Sequence, residues 1–246
     1  MKMSVENTSK VALVFGGSRG IGAATVRRLA TDGFAVAFTY VSHANSADEL
    51  VTEISSAGGK AYAIKADSGN ADDIRAAVEA AAEKFGKIDT VVVNAGIFKL
   101  GTIDAVSVAD LDEMLKINVR AVFLSIQAAL PHLKDGGRVI TIGSNVVHRT
   151  GMAGASVYQF TKAAVASMVK GLALDLAPRK ITVNNVQPGP TDTDINAGAI
   201  DALAGMSPLK RVAAPKEIAG LISYLASDES SYMTGASLTI DGGFTL

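Results

Sequence analysis

Val11-Ala12-Leu13-Val14-Phe15-Gly16-Gly17-Ser18-Arg19-Gly20-Ile21-Gly22 is the stretch whose reading decides the fold. Five consecutive apolar residues read as a strand buried on both faces. They run directly into a glycine-rich turn and then into a helix expected over Ile21–Thr31. Glycines in such a turn let the backbone bend sharply and approach a pyrophosphate that rests on the helix N-terminus. An ordinary glycine-rich turn is the competing reading, and the Gly-x-x-x-Gly-x-Gly spacing departs from the commoner Gly-x-Gly-x-x-Gly.

Working outward, short apolar runs alternate with longer amphipathic or alanine-rich stretches, the pattern of repeated strand–helix units. Strands are expected at Val11–Phe15, Ala35–Tyr40, Lys60–Lys65, Thr90–Val93, Arg138–Ile142, Thr182–Val186 and Ser237–Ile240. Helices are expected at Ile21–Thr31, Ser46–Ser56, Ala71–Phe85, Val108–Leu130, Ser156–Leu176 and Lys216–Ala226. The expected fold is therefore α/β: a single Rossmann-like domain over residues 1–246, with a doubly wound parallel sheet of about seven strands and helices on both faces. Right-handed crossovers place all strand C-termini on one edge, where ligands bind. One long stretch, Gln187 to Ala214, lacks a strand pattern and holds Pro188, Pro190 and Pro208. Its position after a late strand makes residues of about 190–214 a lid over that edge.

Composition narrows the function classes. Hydrophobic residues are 48% and aromatics only 5%, so Val, Ile, Leu and Ala must fill the core. The net charge is −1 and the basic residues form no long run, so no nucleic-acid footprint is visible. The absence of cysteine excludes disulfides, thiolate metal sites and cysteine nucleophiles. His43, His132 and His148 lie in unrelated segments, so no metal site is expected. The start, Met1 to Lys10, is polar, and no apolar run approaches the ~20 residues needed to span a bilayer. A cytoplasmic protein without a membrane partner is the expectation.

The loop spacing, taken with later landmarks in the same order, resembles the short-chain dehydrogenase/reductase family over nearly the whole chain. Asp67 and Ser68 follow the third strand, where the family contacts adenine, and Asn94-Ala95-Gly96 ends the fourth. Pro188-Gly189 with Thr191 matches the segment that grips the nicotinamide carboxamide, and Thr193 joins the cofactor-binding set. Thr234-Gly235-Ala236 and Asp241-Gly242-Gly243 complete the match. Phe15 stands where the family usually has threonine, which removes one loop hydroxyl but no glycine.

The resemblance implies a nicotinamide cofactor held by Gly16, Ser18, Arg19, Gly20 and Ile21 of the loop. NAD enzymes of this design carry an acid at the end of the second strand, ~20 residues beyond the loop, to bind the ribose 2′-hydroxyl. Here that position is Tyr40, with Ser42 and His43 close behind, and Arg19 offers a cation for a 2′-phosphate. NADPH is therefore the expected cofactor, while Arg19 as a solvated loop residue and His43 as a surface residue stay open.

Tyr158 and Lys162 lie four residues apart, so both project from one helical face. With Ser144 at the end of a strand and Asn118 upstream, they match the family's catalytic set. The resemblance implies Tyr158 as general acid in reduction, its pKa drawn down from ~10 by Lys162 and a positive nicotinamide. Ser144 would hydrogen-bond the reacting oxygen, Lys162 would also hold the nicotinamide ribose, and Asn118 would fix a water connecting Lys162 to solvent. The strand-end cap for Ser144 and a helix-interior amide for Asn118 are the structural alternatives.

The expected reaction is reversible reduction of a ketone or aldehyde to an alcohol on a small-molecule substrate. Asn145–Val157 and Thr191–Leu209 should line the pocket, their small residues leaving space. Among family members the chain looks similar to 3-oxoacyl-carrier-protein reductases. It also resembles a cyclic-di-GMP-binding, biofilm-dispersal type, which keeps dinucleotide sequestration open as an alternative. A homo-oligomer, tetramer or dimer, is implied, with Ala163, Ala164, Ala166 and Ser167 permitting close helix approach.

Overall fold

Along β1 (Val11–Phe15) the side chains alternate between two cores. Val11, Leu13 and Phe15 enter one apolar cluster, Ala12 and Val14 the other, because successive strand residues point to opposite faces. The computed structural model describes residues 9–246; the remainder of the polar stretch that opens at Met1 lies outside the described residues. The sheet runs β3 (Lys60–Lys65), β2 (Ala35–Tyr40), β1, β4 (Ile88–Val93), β5 (Leu133–Ile142), β6 (Thr182–Pro188), β7 (Ser237–Ile240). Every pairing is parallel.

Helices α1 (Gly20–Thr31), α2 (Ala44–Ser56) and α8 (Pro215–Ala226) cover one face. Leu29, Leu50, Ile54, Ile218, Ile222 and Leu225 are their buried contributions. The opposite face is covered by α3 (Ala71–Phe85), α5 (Ala121–Ala129) and α6 (Ser156–Leu176), through Ile74, Val78, Ile126, Val165 and Val169. Each such side chain contributes about 1.5–3 kcal/mol on full burial. The order reverses at β1, so the crossovers on its two sides diverge and leave a crevice at the strand C-termini.

Three sequence expectations need correction. β4 starts at Ile88 rather than Thr90, and β5 at Leu133 rather than Arg138; the glycine pair Gly136-Gly137 and a register shift between Ile88 and Thr90 conceal the earlier pairing. The single helix expected over Val108–Leu130 is broken into α4 (Val108–Leu115), a π turn at Lys116–Arg120, and α5. The wider turn carries Asn118 inward, and hydrophobic spacing cannot register one extra residue inside an otherwise helical run. Nor is Gln187–Ala214 irregular throughout. β6 continues through Pro188, a 3₁₀ turn spans Asp194–Asn196, and α7 covers Ile200–Met206. The segment is rooted by Asp192 N–H donating to the Ala213 carbonyl (2.8 Å) and Ala213 N–H to the Pro190 carbonyl (2.9 Å). Such short elements carry too few turns for a readable period.

Gly22 marks how closely α1 packs on the loop before it. A Cβ there would lie 2.0 Å from the Gly16 carbonyl oxygen and 2.7 Å from Asn94 Nδ2. Gly22→Ala should therefore destabilise the fold by about 1–3 kcal/mol, the usual cost of overpacking. Gly171→Ala, on α6 where the new methyl would meet nothing within 4 Å beyond its own stretch of helix backbone, should stabilise by up to about 1 kcal/mol. Urea unfolding of the two variants should move their midpoints in opposite directions.

Candidate active site

Gly16 leaves β1 at φ +75, and a Cβ there would sit 2.9 Å from Ala95 Cα, so neither the turn nor the approach tolerates a side chain. The turn is held from both neighbouring strands. Gly16 N–H donates to Thr39 Oγ1 and Gly17 N–H to the Thr39 carbonyl, both at 2.9 Å, while Asn94 Nδ2 donates to the Gly16 carbonyl at 2.7 Å. Thr39 escaped the sequence reading; its hydroxyl, from β2, engages the loop that Phe15 leaves without one. Arg19 occupies the N-cap of α1 without a side-chain cap, and no acid sits in the first turn. The helix N-terminus thus presents N–H groups and a positive dipole end suited to an anion.

This loop heads a groove of about 460 Å³. From the expected cofactor set it gathers Gly16, Ser18, Arg19, Gly20 and Ile21 with Tyr40 and Ser42. Asp67, Ser68, Asn94, Ala95, Gly96 and Thr193 complete that side. Ser42 Oγ lies 3.0 Å from His43 Nδ1, and one Asp67 oxygen accepts the Gly69 N–H at 2.7 Å. Arg19 is engaged by the segment that follows β6: its Nη1 is 3.0 Å from Asp194 Oδ2. Glycines for close approach, an open helix N-terminus, a guanidinium and no acid at Tyr40 fit a dinucleotide bearing a 2′-phosphate.

A second cavity of about 210 Å³ adjoins the groove and shares Ile21, Asn94, Gly96, Ile97, Thr193 and Ile195 with it. Ser144, Tyr158 and Lys162 line it together with Pro188, Gly189 and Thr191. Ser144 lies two residues beyond β5 and its hydroxyl accepts a long 3.3 Å bond from Val146 N–H, so it caps the following turn and still faces the cavity. Tyr158 and Lys162 project from the first turns of α6. Lys162 is 5% exposed, and its Nζ donates to the Ile142 carbonyl at 2.9 Å. Phe98 packs edge-on against the Tyr158 ring, centroids 4.8 Å apart. It follows Asn94-Ala95-Gly96 closely enough that proximity to that motif could have flagged it. Phe244 and Arg149, also in the lining, are linked by Arg149 Nη1 donating to the Phe244 carbonyl at 3.0 Å, a tertiary contact without a local signal.

Two of the expected residues have surroundings that the sequence did not show. Asn118 is 1% exposed and lines neither cavity; its Oδ1 accepts Ile97 N–H and its Nδ2 donates to the Ile97 carbonyl, both at 2.9 Å. Its amide braces the segment after β4, and Nδ2 also donates to Thr161 Oγ1 at 3.3 Å. At Tyr158, burial pushes the phenol up from its ordinary value, opposed by a hydrogen bond with Ser144, while the Lys162 ammonium donates to the Ile142 carbonyl. Burial also lowers Lys162, to about 8.

That depression has a measurable consequence. The unfolded chain holds the Lys162 proton up to its ordinary 10.5, the folded protein only to about 8, so folding expels a proton between those values. Stability from this group rises with pH across 8–10.5 and is lowest below 8. Lys162→Met, which removes the buried charge, should raise the melting temperature at pH 7, and the gain should shrink toward pH 10. Thermal melts of both proteins from pH 7 to 10 test this.

Comparison with known proteins places this arrangement. The family described as enoyl-(acyl carrier protein) reductase matches residues 16–245. The cyclic-di-GMP-binding biofilm dispersal mediator protein of Escherichia coli K12 is 42% identical over 240 residues, 96% of this chain and 98% of that protein. The short-chain dehydrogenase/reductase from Serratia marcescens BCRC 10948 superposes with a TM-score of 0.94 at 50% identity, covering 96% of this chain and 98% of that one. A blue fluorescent protein from a metagenomic library, solved in complex with NADPH, gives 0.93 at 47% identity, covering 96% and 98%. With likeness of this extent carried from the glycine loop to the last strand, the chain belongs to the short-chain dehydrogenase/reductase family of oxidoreductases.

Proposed function

We propose that the protein is an NADPH-dependent reductase that converts a ketone or aldehyde to an alcohol, reversibly, with Tyr158 as the general acid and base. The observation that carries this is the convergence of Ser144, Tyr158 and Lys162 on a cavity that opens into the phosphate-loop groove. NADPH, when bound, supplies the hydride. Arg19, an uncharged side chain at Tyr40 and the NADPH held by the metagenomic relative support that cofactor.

A phenol raised by burial stays protonated at neutral pH, which suits donation to a carbonyl oxygen gaining charge. Ser144 Oγ donates a second hydrogen bond to the same oxygen, most strongly as charge builds. Lys162, with its pKa near 8, both releases and regains a proton close to neutrality, so it is suited to resupplying Tyr158. The cavity walls are less open than the small residues of the sequence suggest: Phe98, Met152, Ile195, Leu203 and Phe244 line it. An apolar or aryl group beside the carbonyl fits that lining.

The likeness to the Escherichia coli protein favours a second reading, in which a cyclic dinucleotide is the physiological ligand. Calorimetric titration with NADPH and with cyclic-di-GMP separates the two. We also propose a homo-oligomer formed through α4–α5 and α6, where Phe123, Phe160 and Leu174 are solvent-exposed. Light scattering at micromolar concentration should give a multiple of the chain mass; a monomer overturns it.

Tyr158→Phe keeps the ring and deletes the only proton it can exchange. Turnover in an NADPH-monitored panel of aryl ketones should fall by ~10²–10⁴-fold while NADPH affinity stays near wild type. Alcohol oxidation by the wild type should rise with pH as the phenol ionises, and the rise should vanish in the variant. Arg19→Ala should weaken NADPH far more than NADH. A Phe variant that keeps most of its activity places the proton donor elsewhere.

A further inference from the structure

Arg19 is the only lysine or arginine lining the cofactor groove among the described residues, and in this structure its partner is a carboxylate of the segment that follows β6. Asp194 opens the 3₁₀ turn Asp194–Asn196, and both members of the pair are largely solvent-exposed, at 56% and 74% of their side chains. The chain also comes close next door, where a Cβ added to Gly20 would sit 3.2 Å from Thr193 Cγ2. The turn is held to its own root by Asn196 Nδ2 donating to the Thr191 carbonyl at 2.8 Å. Thr193, Asp194 and Ile195 therefore form a short bridge pinned at one end to the root of that segment and at the other to the phosphate loop.

Placement gives this pair a role beyond stability. Thr193 and Ile195 belong to the walls of both cavities, whereas Asp194 faces only the cofactor groove. A 2′-phosphate requires the one guanidinium that Asp194 already holds, and brings about two negative charges beside that carboxylate. We infer that Asp194 is a cofactor-specificity residue: it competes with the 2′-phosphate for Arg19, and surrender of Arg19 frees the Thr193–Ile195 bridge that borders the substrate cavity. The phosphate thereby reports its presence to the reaction site through an exchange of ion-pair partners. NADH, lacking that group, leaves the pair intact. This rests on the NADPH reading above.

The exposed pair is weak, so the competition is modest in size. Calorimetry with 2′,5′-ADP and 5′-ADP isolates the phosphate from the rest of the cofactor. Wild type should prefer 2′,5′-ADP, and Arg19→Ala should abolish the preference. Asp194→Asn should tighten 2′,5′-ADP by about two- to five-fold and leave 5′-ADP within error. The Arg19→Ala/Asp194→Asn double variant should show no such gain. In the wild type, 2′,5′-ADP but not 5′-ADP should speed hydrogen exchange at amides 193–197. Equal tightening of both ligands, or no tightening with the Arg19 dependence intact, overturns the competition while the NADPH reading stands. Unchanged exchange overturns the release of the bridge. A wild type without preference for 2′,5′-ADP overturns the cofactor reading and this inference together.

Discussion

The Phe15 carbonyl oxygen receives two backbone N–H groups from the end of β4, Asn94 at 3.2 Å and Ala95 at 2.9 Å. Beside it the Gly16 carbonyl receives the Asn94 side chain. These bonds lock β1 and β4 together at the point where the chain's two crossover directions part. Nearly everything that concerns function hangs from that lock. β2 and β3 extend from one side with the adenosine end of the groove, while β4, β5 and β6 extend from the other with Asn94, Ser144 and Gly189 at their tips. A side chain at position 16 or 22 would force the strands apart, and the groove would lose its floor.

The proposed reaction centre is built against the grain of stability. Lys162 sits 5% exposed with one carbonyl as its hydrogen-bond partner, where a charge is costly. The fold tolerates it because α6 is long and well packed, with Val165, Val169 and Ala173 in the core beyond. Tyr158 is held at the cavity wall by Phe98 on its edge and by the helix beneath, which keeps the phenol protonated rather than ionised. The two groups are thus tuned by desolvation in opposite senses of charge: the phenol is kept as a proton donor, and the ammonium gives up its proton more readily than an exposed lysine.

Several buried polar groups elsewhere are paired in a way that stiffens the same region. Asn184 and Asn185 of β6 are almost wholly buried, and their amides reach across to the Met233 carbonyl, Ala236 N–H, Thr141 and Ser237. Gln187 links His148, after Ser144, to Thr239 on β7. Asp241 accepts from Asn145 and from the backbone of Gly243 and Thr245, and so sets the segment that brings Phe244 into the cavity. Paired amides inside a sheet contribute order rather than large net energy, since each replaces bonds to water.

The strand–loop–helix opening and the alternation of apolar runs determined the sheet, its strands and its ligand-binding edge, because burial on two faces and a sharp glycine turn are local demands written in local sequence. The family resemblance likewise pointed to Ser144, Tyr158 and Lys162, and helical spacing placed the last two on one face. What local pattern could not decide was every partner chosen across the fold. Thr39 engages the loop from another strand, Asn118 is spent on the Ile97 backbone, Arg19 is held by Asp194, and Phe98 and Phe244 close the cavity. The direction of the Tyr158 and Lys162 shifts belongs to the same class. Desolvation and hydrogen-bond competition depend on what surrounds a group in space, and only the packed tertiary structure brings those surroundings together.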